Sequence, residues 1–221
     1  MSRFRLIILS AFAVFAAGAF ASSSASADAC SGGTQSVFCF SNNTPIHSEK
    51  GLGTIGLALF ATTVGITEVR LHCKDGVGSG TFKLLGLAKG EVAFLGCTVE
   101  KPANCTVGEG VNKLILAKFH LQLSSGLMPA TGLATGTGTG VPEEFTKITI
   151  AGASCSVANS YTVSGLQTVE FPKGEESLVG HEAVAKKSGS KIKVGAEAGS
   201  FSATSKVDLS SGAAFLIMLG V

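Results

Sequence analysis

The chain has 221 residues, with 17 basic and 15 acidic side chains and a formal net charge of +2. Two of the bases, Arg3 and Arg5, stand at the very start, and the rest is balanced, so there is no field to hold nucleic acid or an anionic membrane. The 29 glycines follow no G-X-Y period, which excludes collagen, and beside only 5 prolines they fit short strands joined by tight turns.

The first 27 residues read as an export signal. Arg3 and Arg5 precede an uncharged apolar run, Leu6 to Phe20, and Ala25-Ser26-Ala27 offers the small-x-small pattern of a cleavage site. The expected mature chain begins at Asp28 and keeps no transmembrane anchor. Lipidation of Cys30 is disfavoured, because Ala27-Asp28-Ala29 lacks the aliphatic residue needed three positions before it. Export fixes the redox compartment, so Cys30, Cys39, Cys73, Cys97, Cys105 and Cys155 are expected to be paired.

Residues 28–50 read as a loosely ordered arm, with Asn42-Asn43-Thr44-Pro45 as turn chemistry. A single β domain is expected over 51–221. Val69, Leu71 and Cys73 alternate with Glu68, Arg70 and His72, which is an apolar-in, polar-out strand. Asp75-Gly76 and Gly78-Ser79-Gly80 suggest a turn, followed by strands over 81–87 and 91–99 joined at Ala88-Lys89-Gly90. Residues 101–104 turn the chain again. The clearest strand spans 112–124, with Ile115, Ala117, Phe119, Leu121 and Leu123 on one face. Residues 130–140 (ATGLATGTGTG) hold no large side chain and read as a flexible surface loop.

Strands resume at 145–151 and again where Tyr161, Val163, Val169 and Phe171 share a parity. A turn is expected at 172–176, and 178–187 reads as a strand, with a short helix as the alternative. Further strands follow through Ile192 and Val194, then Phe201 and Leu209, and a buried strand lies within 213–219. This gives about ten to twelve short strands with turn signals every 8–12 residues. The pattern predicts an all-β, antiparallel β-sandwich or jelly-roll-like domain stapled by disulfides, with a barrel as the remaining option.

Six cysteines allow fifteen pairings. Proximity favours Cys30–Cys39 and Cys97–Cys105, leaving Cys73–Cys155 as a long closure. With no C-x-x-C and no zinc-ligand spacing, structural disulfides are favoured over a metal or redox site. Gly51-Leu52-Gly53-Thr54-Ile55-Gly56 matches G-x-G-x-x-G by letter, but no strand precedes it and no helix is expected after it. It therefore reads as a glycine-rich strand edge, and no cofactor is assigned. His47, His72, His120 and His181 are scattered and read as solvated surface histidines. Ser154 departs from a nucleophile elbow at the last glycine. The doublets Glu143-Glu144 and Glu175-Glu176 are the only candidates for converging carboxylates, and both read as loop caps. Lys186, Lys187, Lys191 and Lys193 form the one local basic cluster. With no Trp and a single Tyr, the stacking faces usual in sugar or base recognition are missing, as are the aromatic girdles of an outer-membrane barrel.

Val92-Ala93-Phe94-Leu95-Gly96-Cys97, then Cys105, then Ile148 to Cys155, resembles a loose group of exported bacterial proteins that are all-β, glycine-rich and of unassigned function. The resemblance carries no catalytic residue. The function expected is a secreted, non-catalytic binding or structural module at the cell surface or outside the cell. The 130–140 loop is its best binding candidate, and the partner is undefined, with a cell-envelope component as one possibility. The alternative is an extracellular hydrolase of polysaccharide type that uses Glu143 or Glu175.

Overall fold

The computed structural model describes residues 30, 33–108, 113–125, 129–137 and 144–220; the leader 1–27, Glu143 and residues 138–140 lie outside them. Fourteen strands account for nearly all of the regular structure. They are β1 (Val37–Phe40), β2 (Ser48–Val64), β3 (Thr67–Cys73), β4 (Asp75–Lys83), β5 (Leu87–Leu95), β6 (Thr98–Lys101) and β7 (Thr106–Val107). Then come β8 (Ile115–Leu123), β9 (Ala130–Gly136), β10 (Glu144–Ala151), β11 (Asn159–Phe171), β12 (Gly180–Val194), β13 (Glu197–Leu209) and β14 (Phe215–Met218).

The hydrogen-bonded order β12-β13-β2-β4-β5-β8-β9-β11 returns to its start, because β11 also pairs with β12. The fold is thus a closed eight-stranded barrel rather than the expected sandwich or jelly roll. The expectation failed because alternation records which residues face inward but not whether the sheet's edges meet. Four strands are also longer than expected, from 13 to 17 residues. Two of them, β2 and β11, change neighbours halfway. β2 pairs with β4 over Ser48–Ile55 and with β3 over Ala58–Val64. β11 pairs with β9 over Leu166–Phe171 and with β10 up to Ser164. Beyond these pairings β3 continues to β6, and β10 continues to β7.

Two apolar clusters fill the ends. At one, Phe60, Phe94 and Phe201 pack with centroids 4.6–5.6 Å apart beside Leu71, Ile150 and Val194. At the other, Phe38, Phe82 and Phe215 pack among Leu121, Phe171 and Ile217. Phe38 and Phe215 belong to a separate two-stranded ribbon, β1 with β14, that closes this end. The stretch 28–50 is therefore no loose arm from Gly33 onward: β1 is buried, and Ile46 joins the core.

Glycine misled the turn assignments. Gly76, Gly78 and Gly80 lie inside β4, and Gly90 lies inside β5. The chain actually turns at Leu84–Gly86, where Leu85 and Gly86 both take positive φ. A Cβ on Gly86 would sit 2.2 Å from the Ser36 carbonyl, so glycine is required where the ribbon docks. The expected surface loop at 130–140 is, over Ala130–Gly136, the interior strand β9. Ala130, Gly132, Ala134 and Gly136 face inward, and β8 and β11 flank the strand. Its low complexity is period-2 alternation with the smallest possible inward residues.

Three disulfides staple the fold: Cys30–Cys39, Cys73–Cys97 and Cys105–Cys155. The first matches the expected pair; Cys97–Cys105 and Cys73–Cys155 are replaced. Cys73 ends β3 and Cys97 precedes β6, so the bond crosslinks neighbouring strands where β3–β4 and β5–β6 bend together. Cys105 precedes β7 and bridges to the turn after β10, tying the two strands that pair there. Nearness in sequence misassigned both, because Cys97 and Cys105 flank β6 and its turn and point to different neighbours. The chain-entropy relation assigns about 3 kcal/mol to the 24-residue separation and about 4 kcal/mol to the 50-residue one. Peptide mapping of oxidised protein should recover these three pairs, and C105A/C155A should lower unfolding free energy more than C73A/C97A.

Candidate functional site: the barrel lumen

Between the two phenylalanine clusters the barrel holds a partly open cavity of about 220 Å³. Its origin is legible row by row in the strand register. Val207, Gly53, Gly78, Val92 and Ala117 stand side by side across β13, β2, β4, β5 and β8. The next row reads Leu209, Gly51, Gly80, Gly90, Phe119 and Gly136. A third reads Phe82, Ala88, Leu121, Ala134 and Gln167. These positions face inward, so glycine there removes side chains from the lumen.

The glycines are not equivalent. A Cβ on Gly51 would fall 2.5 Å from the Phe82 ring, so that glycine makes room for the aromatic. On Gly80 and Gly90 it would meet main-chain oxygens of Lys89 and Ser79 at 2.7 and 2.8 Å, because β4 and β5 approach closely there. On Gly53 nothing lies nearer than 3.6 Å. Gly53 therefore faces the open space itself. Exposed Ser79, Lys89 and Glu91 also border the cavity, because the glycines between them leave that wall one backbone thick.

The lumen is apolar apart from three inward polar side chains. Thr146 Oγ1 donates to the Leu116 carbonyl at 2.6 Å, and Ser205 Oγ donates to the Ala183 carbonyl at 3.0 Å. Gln167, only 4% exposed, donates its amide nitrogen to the Lys186 and Thr168 carbonyls at 2.8 and 3.0 Å. Its Oε1 is buried without a partner.

The residues singled out from sequence fall elsewhere, with one exception. Gly51 to Gly56 lie within β2, paired to β13 on one side and β4 on the other, so they form neither a strand edge nor a phosphate cradle. Gly51 and Gly53 do line the lumen. His47 and His120 are exposed, and His72 lies 3.0 Å from Thr98 Oγ1. His181 is not solvated: it is 1% exposed, its Nε2 lies 2.7 Å from the Phe215 carbonyl, and its ring packs at a tilt against Phe215 under the ribbon. Ser154 sits in the turn beside Cys155. Glu144 opens β10, whereas Glu175 and Glu176 are exposed in the turn after β11, with Lys173 near Glu176. Among the four lysines, Lys186 pairs with Glu170 at 3.1 Å. The most connected surface carboxylate is Glu68, which accepts hydrogen bonds from Lys101 and Arg70; these hold its carboxyl below the ordinary glutamate range. Among the described residues, no three His, Cys, Asp or Glu side chains gather as a metal-ligand set.

Gln167 and the lumen-facing glycines escaped the sequence reading. Their signal was present as glycine recurring at every second position, in 51–53 and again in 76–80. Gly53→Ala should leave stability unchanged or raise it, whereas Gly80→Ala and Gly90→Ala should each cost about 1–3 kcal/mol through backbone displacement, as urea titration would read. No family model matches the chain, and neither does any curated protein or solved structure compared with it.

Proposed function

We propose that this protein is an exported, non-catalytic binding module that holds a small apolar molecule inside its barrel. The observation that carries the reading is an apolar space in the barrel, left open beside Gly53, where a larger side chain would fit. Leaving 220 Å³ unfilled costs roughly 5 kcal/mol against a packed lumen. That is comparable to the whole net stability of many domains. A barrel of eight strands is at the size where the interior is either filled by side chains or holds one small ligand. An engineered apolar cavity of about 150 Å³ stays dry and binds benzene, so this volume suits a somewhat larger body, such as a fused pair of rings.

Export is part of the proposal. The leader 1–27 supplies the route, and three disulfides are at home in an oxidising, non-cytoplasmic compartment. The acid-using hydrolase gains no support from the described side chains, since Glu175 and Glu176 are exposed in a turn away from the lumen lining.

Calorimetric titration of the full oxidised protein with naphthalene tests the lumen. Saturable uptake by the native chain, lost in Gly53→Leu together with a rise in melting temperature, is the expected result. Absent uptake, or equal uptake by a folded Gly53→Leu protein, overturns the proposal.

A further inference from the structure

We infer that the molecule held in the lumen carries a hydrogen-bond donor, a neutral hydroxyl or N–H on an apolar body, and that Gln167 is the residue that selects it. This inference rests on the lumen as the binding site and goes further by naming the chemistry of the ligand.

Each inward polar side chain already spends its hydrogens on main-chain carbonyls of the wall: Thr146 on Leu116, Ser205 on Ala183, Gln167 on Lys186 and Thr168. Those two carbonyls also fix which way the Gln167 amide faces, because only its NH₂ end can donate to them. What remains is acceptors. Among the described residues Gln167 Oε1 has no partner, although its side chain is buried and its residue lines the cavity. An orphaned buried acceptor is costly, and native structures seldom leave one. Water is a poor remedy here, since an ordered buried water wants about three polar partners and this wall is almost wholly apolar. A ligand bringing its own donor satisfies Oε1 while its body fills the space opposite Gly53 and Gly78. A carboxylate or a ketone brings only further acceptors and finds no donor among these side chains. Sites built around a buried polar group discriminate strongly against analogues that leave it unpaired.

The test compares 1-naphthol with 1-methylnaphthalene, which share a shape and differ in the donor. With no Trp and a single Tyr in the chain, naphthol emission can be followed directly. The ratio of the two dissociation constants, methylnaphthalene over naphthol, should fall about five- to tenfold from the native protein to Gln167→Met, which keeps the length and removes the acceptor. A second measurement needs no variant: the side-chain carbonyl ¹³C resonance of Gln167 should move with naphthol and stay in place with methylnaphthalene. An unchanged ratio in folded Gln167→Met, or a carbonyl resonance indifferent to naphthol, overturns the donor inference. If both compounds still bind and Gly53→Leu excludes both, the lumen reading survives that failure. If neither compound binds the native protein, the lumen reading falls first.

Discussion

Everything in this architecture depends on the sheet closing on itself, so that each of the eight strands is paired on both sides. In the pairing of β11 with β12, Val163 stands opposite Val194 and Glu170 opposite Val184. Without it, β11 and β12 would each present a row of unpaired main-chain groups, the usual route to edge-to-edge association. With it, the inward faces of eight strands share one interior. This pairing is irregular between Leu166 and Thr168, and Gln167 sits at that irregularity. There its side chain supplies hydrogen bonds to the Lys186 and Thr168 carbonyls. Ser190 Oγ accepts from the Thr168 N–H at 2.9 Å and donates to the Lys186 carbonyl at 2.6 Å, repairing the same spot. One residue therefore serves both the closure of the wall and the polarity of the space inside it.

The interior is then divided by residue size. Phenylalanines gather at the two ends and glycines and alanines in the middle. Close packing at the ends gives the barrel its rigidity, since cores at crystal-like density resist collapse. That rigidity keeps the central space from closing, a condition for a preformed ligand site. One end is also covalently held: Cys73–Cys97 and Cys105–Cys155 both lie within the Phe60 cluster, whereas Cys30–Cys39 ties residue 30 to β1 of the ribbon itself.

How much of this could be read in the sequence depended on which physical signal carried it. Period-2 alternation identified the inward faces of β3, β8, β11 and β13, because a strand records its burial in its own residues. Ring closure has no local record: β13 meets β2 from the far side of the sequence, Gly199 opposite Thr62 and Leu209 opposite Gly51. The cysteine pairs failed for the same reason, since the partner of Cys97 is set by β3 lying beside β6. Glycine was misread at Gly78, Gly80 and Gly132 because its commonest use is in turns. Its use here is to leave out a side chain, which only the neighbouring strands reveal. His181 looked polar and hence surface-bound, yet it lies beneath a ribbon whose other strand comes from residues 215–218.

The ribbon itself has a consequence for biogenesis. β1 near one end of the chain has β14 near the other as its partner, so the lid over the Phe82 end cannot seat until residue 218 has been synthesised. Contacts spanning nearly the whole polypeptide are the slowest to form. A growing chain therefore passes through a stage in which the barrel strands can pair while this end is still uncovered.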